Sequence, residues 1–221
     1  MSMDTEDLIR RLAADLRPIN RLPPPWRRAA LWLALSLPYV AAVVWGKVAM
    51  VDAAHVLADT RFLIEQAATF ATAAAAAVAA FASTVPGFDR RLLLLPLAPL
   101  ALWLASVGAG CIDDWLRLGP EGLAIRPDLD CLPAASVIGI APAAIMVLML
   151  RRGAPLYPRT SLLLGALAVA AIANFGMQIF HFRDASIMVL IWHLGSVAVV
   201  ALLAGLAGER LIGWRQLGLT R

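Results

Sequence analysis

Six long apolar runs, separated by short polar connections, set the pattern of this chain. They occupy residues 29–48, 62–84, 92–110, 132–150, 161–180 and 186–205. A helix needs roughly 20 apolar residues to cross a hydrocarbon core about 30 Å thick, and most of these runs are that long. Residues 4–17 follow a different rhythm. Leu8, Ile9, Leu12, Ala13 and Leu16 recur at helical spacing and make one apolar stripe on a short amphipathic helix. Asp4 or Thr5 can cap that helix, and Glu6 and Asp7 suit the positive end of its dipole. Pro18 and the run Pro23, Pro24, Pro25 stop it and stiffen the path to the first span.

Composition supports the pattern. With 61% hydrophobic residues and a mean hydropathy of +0.78, the chain lacks the polar surface of a water-soluble globule. The reading is an all-α, polytopic membrane bundle of six transmembrane helices. Residues 1–28 form an amino-terminal segment, 29–207 the membrane domain and 208–221 a tail. The first span reads as retained, because a cleavable signal peptide has a shorter charged lead and a shorter apolar core. Within the spans, the alanine run from Ala73 to Ala77, with Ala79 and Ala80, allows close backbone approach and predicts a central helix. Pro38, Pro96, Pro99 and Pro142 are expected to lie inside spans.

Charge adds orientation. Arg10, Arg11, Arg17, Arg21, Arg27 and Arg28 precede the first span. Arg90 and Arg91 follow the second. Arg151, Arg152 and Arg159 follow the fourth, and Arg210, Arg215 and Arg221 lie in the tail. These are 14 of the 19 basic residues, all in every second connection. The positive-inside rule then places both termini in the cytoplasm. The net charge of +4 therefore reports membrane orientation. No folded basic domain is present to bind nucleic acid directly.

Candidate chemistry is sparse. No nucleophile elbow, zinc-protease helix, phosphate loop or C-x-x-C pair occurs. No cofactor is implied. Arg61 stands one turn before Glu65 and can neutralise it near the outer end of the second span. Glu65 and His193, with Asn174 and Gln178 as polar neighbours, form a thin intramembrane ionisable set, and His193 is read as a helix-contact hydrogen bonder. The remaining candidates lie on the outer side. Cys111 closes the third expected span, and Cys131 opens the fourth after Asp130. His181 ends the fifth, and His55 lies in the first outer loop. Thiols and imidazoles ligate soft or borderline metals, and a thiol pair also reports oxidants. A structural disulfide pinning the loop, or two unrelated thiols, would account for Cys111 and Cys131 equally well. The stripe of residues 4–17 leaves two roles open as well: an interfacial helix on the inner leaflet, or a docking helix entering a partner's groove.

Several stretches together resemble the NrsF-type negative regulators of sigma factors, a bacterial inner-membrane family. They are Leu12, Ala13, Ala14, Asp15, Leu16, Arg17 and Pro18 with the proline-rich approach; Asp130 and Cys131; Arg151, Arg152, Gly153, Ala154 and Pro155; and Val189 to Gly195 in the last span. The likeness covers nearly the whole chain. It implies a six-helix anti-sigma factor whose cytoplasmic amino-terminal segment holds an extracytoplasmic-function sigma factor at the membrane; the apolar stripe of Leu8, Ile9, Leu12 and Leu16 is the face this chain offers for that contact. An envelope signal, metal or oxidant, would release that factor through cysteines, of which Cys131 matches; Cys111 and His181 are the neighbouring candidates in this chain. One departure stands out. The family pattern places a second cysteine after a histidine between the fifth and sixth spans, and here the place reads His181, Phe182, Arg183. The expectation is a regulator and not an enzyme. A small membrane thiol oxidoreductase lacks a visible quinone or flavin site, and a transporter would carry more intramembrane charge.

Overall fold

The computed structural model describes residues 5–14, 22–48, 59–123, 131–153 and 157–179, with seven single positions between 187 and 206. Among the described residues there are six α-helices and no strand. They are α1 (Thr5–Ala14), α2 (Pro25–Val48), α3 (Thr60–Ala82), α4 (Leu97–Leu118), α5 (Cys131–Arg151) and α6 (Pro158–Met177). Five of them, α2 to α6, are long and apolar enough to cross a membrane. The sixth expected span lies mostly outside the described residues.

Local chemistry sets the helix starts. The Asp59 carboxylate accepts from the backbone N–H of Arg61 at 2.9 Å and of Phe62 at 3.4 Å, capping α3. Asp89 accepts from Arg91 N–H at 2.9 Å and opens a 3-10 turn, Arg90–Leu94, ahead of α4. Pro158 occupies the first helical position of α6, where no backbone donor is needed. Thr5 is the first residue of α1 rather than its cap.

The third span differs most from expectation. It was expected to end at Gly110, but α4 runs on through Leu118 and a 3-10 turn, Gly119–Leu123, follows. Asp113 and Asp114 resemble the start of a loop, yet Asp113 accepts from Arg117 at 3.0 Å one turn on and so supports the helix. The stop is Gly119, whose φ of 63° lies in the left-handed region that glycine adopts freely. Pro96 is the cap of α4 and Pro99 falls in its first turn, so neither interrupts it; Pro38 and Pro142 do lie inside their helices.

Helix α3 is central, packing against α2, α4 and α6. Ala73, Ala76, Ala77, Ala79 and Ala80 are all fully buried. Helix α6 approaches its neighbours as closely. A Cβ on Gly176 would come within 2.8 Å of Val40, and one on Gly165 within 3.1 Å of Met146. Helices α2 and α5 are joined by two aromatic donors. The Trp32 indole donates to the Pro142 carbonyl at 3.0 Å, and the Tyr39 hydroxyl to the Val137 carbonyl at 2.7 Å. Helix α4 is peripheral, attached through a small cluster of Ala68, Trp103 and Val107 with Leu190.

The polarity of the bundle is that of a protein in lipid. Ser36, Thr69, Thr72, Ser83, Thr84, Ser161 and Asn174 are buried, whereas Leu31, Leu35, Ile64, Leu102, Ile140 and Leu148 face outward. Trp26 and Trp45, both exposed, stand nineteen residues apart on α2. At 1.5 Å per residue they are separated by about 28 Å, close to the hydrocarbon thickness, as expected of an aromatic belt at each interface.

Candidate functional site

Helix α1 is amphipathic, and each of its described side chains is exposed. Leu8 is 41% and Ile9 60% exposed, so this end of the stripe is uncovered. Leu12 belongs to α1, but its side chain lies outside the described residues, as does Leu16 altogether. Acidic Glu6 and Asp7 occupy the first turn. Arg10 approaches Glu6 at 3.9 Å across one turn, a fully solvated pair that adds little.

The cysteine-bearing end is built from α3 and α4. The Arg61 guanidinium donates from Nε to Glu65 Oε1 at 3.0 Å, as the one-turn spacing predicts. The Ser106 hydroxyl of α4 donates to the same carboxylate oxygen at 3.1 Å. A Cβ on Gly110 would overlap the Arg61 guanidinium, so the absence of a side chain there lets the arginine lie across α4. Cys111 follows immediately. It is half-buried with a free thiol, and the charges of Asp114 and Arg61 both act on it. It sits inside α4, not at its end as expected. Cys131 is the first residue of α5, with its side chain outside the described residues. His55, His181 and His193 also lie outside them. Among the described residues no three His, Cys, Asp or Glu side chains converge to hold a metal ion.

Nearby, Gln66 of α3 donates to the Phe175 carbonyl of α6 at 3.2 Å. Gln178, at the end of α6, is buried, with neither amide atom partnered among the described residues.

The opposite end of the bundle holds the feature that the sequence pattern concealed. Arg28, counted there only as one of many orientation charges, is 5% exposed. Its Nη1 donates to Thr84 Oγ1 at 2.9 Å and its Nη2 to the Met149 carbonyl at 2.7 Å. The guanidinium lies 4.5 Å from the centre of the Phe81 ring. Ser83 and Ser161 hydroxyls meet beside it at 2.7 Å, and Arg90 donates to the Tyr157 hydroxyl at 3.4 Å. The start of α2, the ends of α3 and α5 and the start of α6 therefore meet at one end. That end carries Arg27, Arg28, Arg90, Arg151 and Arg159. The sequence signal for Arg28 was its place in the first turn of an apolar helix, too common by itself to distinguish it from its neighbours.

Comparison with known protein families identifies the chain's relatives. The model of the NrsF family, described as negative regulator of sigma F, matches residues 12–214. No curated protein and no solved structure matches the chain. Leu8 and Ile9 precede the matched region, so their part in docking stands on the stripe of this chain alone.

Proposed function

Because the chain belongs to the family of negative regulators of sigma F, and so acts on a sigma factor, we propose that it is a six-span inner-membrane anti-sigma factor with both termini in the cytoplasm. It is a regulator and not an enzyme. The partner is an extracytoplasmic-function sigma factor, captured by the apolar face of α1 carrying Leu8, Ile9 and Leu12 and continued by Leu16. The observation that carries this reading is the exposed apolar end of α1, where Leu8 and Ile9 remain uncovered among the described residues. An interfacial helix would be an alternative use of the same face. The proline run that follows α1 instead holds it near the membrane while limiting its reach.

Release follows an envelope signal, metal or oxidant, received at the end that carries Cys111 and the start of α5 with Cys131. A disulfide between the family's usual cysteine pair is not available here, since Phe182 occupies the second place. Thiol chemistry would therefore fall to Cys131, with Cys111 and His181 as partners.

The test is transcription from a sigma-dependent promoter. Each leucine buried at a helix-in-groove interface contributes roughly 1.5–3 kcal/mol, so Leu8→Asp with Leu12→Asp should weaken capture by more than tenfold. The promoter should then be active without a stimulus while the protein stays in the membrane. Arg10→Gln with Arg11→Gln, which weakens only lipid contact, should still repress. Full repression by the leucine variant at normal abundance would remove the docking role. In the same assay Cys131→Ser should blunt the response to metals and oxidants more than Cys111→Ser. An unchanged response in both variants would remove the thiol role.

A further inference from the structure

Arg28 is a buried charge whose partners among the described residues are all neutral: a hydroxyl, a backbone carbonyl and an aromatic ring. For stability alone, a well-packed apolar side chain of similar length serves such a position as well or better. What an apolar residue cannot do is reach two helices at once. The planar fork of arginine does so, joining the hydroxyl at the end of α3 to a carbonyl in the last turn of α5. That carbonyl belongs to the last four of its helix, which have no intrahelical donor, and it lies at the negative end of the dipole.

Both helices it joins have their far ends at the cysteine-bearing face. Helix α3 starts at Thr60, next to Arg61 and its contact with Gly110, and α5 starts at Cys131. Arg28 itself is three residues beyond Pro25, where the proline run ends and α2 begins. The attachment has little slack, since the chain leaving α5 crosses Thr84 so closely that a Cβ on Gly153 would lie 2.7 Å from it.

We propose that Arg28 is the positioning residue of the docking segment: it ties the root of that segment to the ends of α3 and α5, so that the relative placement of those two helices determines how α1 is presented to its partner. The inference rests on the docking reading given above. A rigid helix carries a displacement along its length, and Arg28 reads the difference between two of them where the amino-terminal segment departs.

The experiment uses the full-length protein in its membrane, with sigma-dependent transcription and abundance measured together. Arg28→Met should raise unstimulated transcription about fivefold or more at unchanged abundance, the scale of a typical coupling between sites. Arg28→Lys keeps the charge but not the fork, and should give an intermediate output. Thr84→Val, which removes one acceptor, should shift output the same way by less. Wild-type repression by Arg28→Met at normal abundance would overturn the proposal. Wild-type repression by Arg28→Lys beside derepression by Arg28→Met would assign the effect to positive charge alone and overturn it equally. If Arg28→Met fails to accumulate, Thr84→Val decides: raised output supports the proposal and unchanged output ends it. The Leu8→Asp/Leu12→Asp variant, run alongside, separates the two readings. Its derepression with silent Arg28 variants removes Arg28 alone, and its own silence removes the docking segment.

Discussion

Gly108 and Gly110 lie two residues apart on α4 and meet different surroundings. A Cβ on Gly108 would touch nothing within 4 Å, whereas one on Gly110 would fall on the Arg61 guanidinium. Gly108→Ala should therefore be neutral or stabilising by up to about 1 kcal/mol, the helix-propensity difference. Gly110→Ala must displace Arg61 and disturb its contact with Glu65, at a cost on the order of 1–3 kcal/mol. Thermal unfolding of the detergent-solubilised variants should separate the two; equal melting temperatures would mean that Arg61 does not rest on α4. The Arg61–Glu65 pair itself was legible from its spacing, because one helical turn decides it. The seat on Gly110 was not, because it joins residues 49 positions apart and a glycine in an apolar run has many explanations. Arg28 was hidden for the same reason: its partners, Thr84 and Met149, come from distant spans.

At the scale of the element, α3 was the most legible, since small residues at close spacing have one main use in a lipid environment. Its faces are sharply different. Ala77 is fully buried in the core, and Ala71 is exposed. Ala77→Leu should destabilise the bundle by roughly 1–3 kcal/mol through overpacking, while Ala71→Leu should leave it nearly unchanged. Comparable melting temperatures for the two would contradict the placement of α3 at the centre. Helix α4 was less legible. Its apolar run ends at the first acidic pair, but a helix ends where its backbone finds a stop, here at Gly119. The two extra turns carry Cys111 into the helix. The stripe of α1 was readable as a helix with one apolar face, and its exposure agrees; nothing in a periodicity names what covers it.

For the whole molecule, the alternation of basic connections predicted that they share one face. The contacts among Arg28, Thr84, Met149, Ser83, Ser161, Tyr157 and Arg90 bring several of them to one end. The proposal that this end is cytoplasmic is tested with a reporter active only in the cytoplasm. Fused after Arg221 it should be active, and inserted near Gly119 it should be silent. Activity at both places would contradict six spans. The family was readable because order and spacing run through nearly the whole chain, although each matching piece is short and apolar.

The exposed indoles at the two ends of α2 make the protein a gauge of its own bilayer. Their separation of about 28 Å falls slightly short of an average hydrocarbon core and would exceed a thin one. In a bilayer of short-chain lipid, tilting α2, kinking it or thickening the bilayer locally would keep Trp26 and Trp45 at the two headgroup layers. A tilt of α2 changes the angle at which the proline run leaves the membrane surface. Purified protein should accordingly be reconstituted in lipid whose hydrocarbon thickness matches the spacing of its tryptophans.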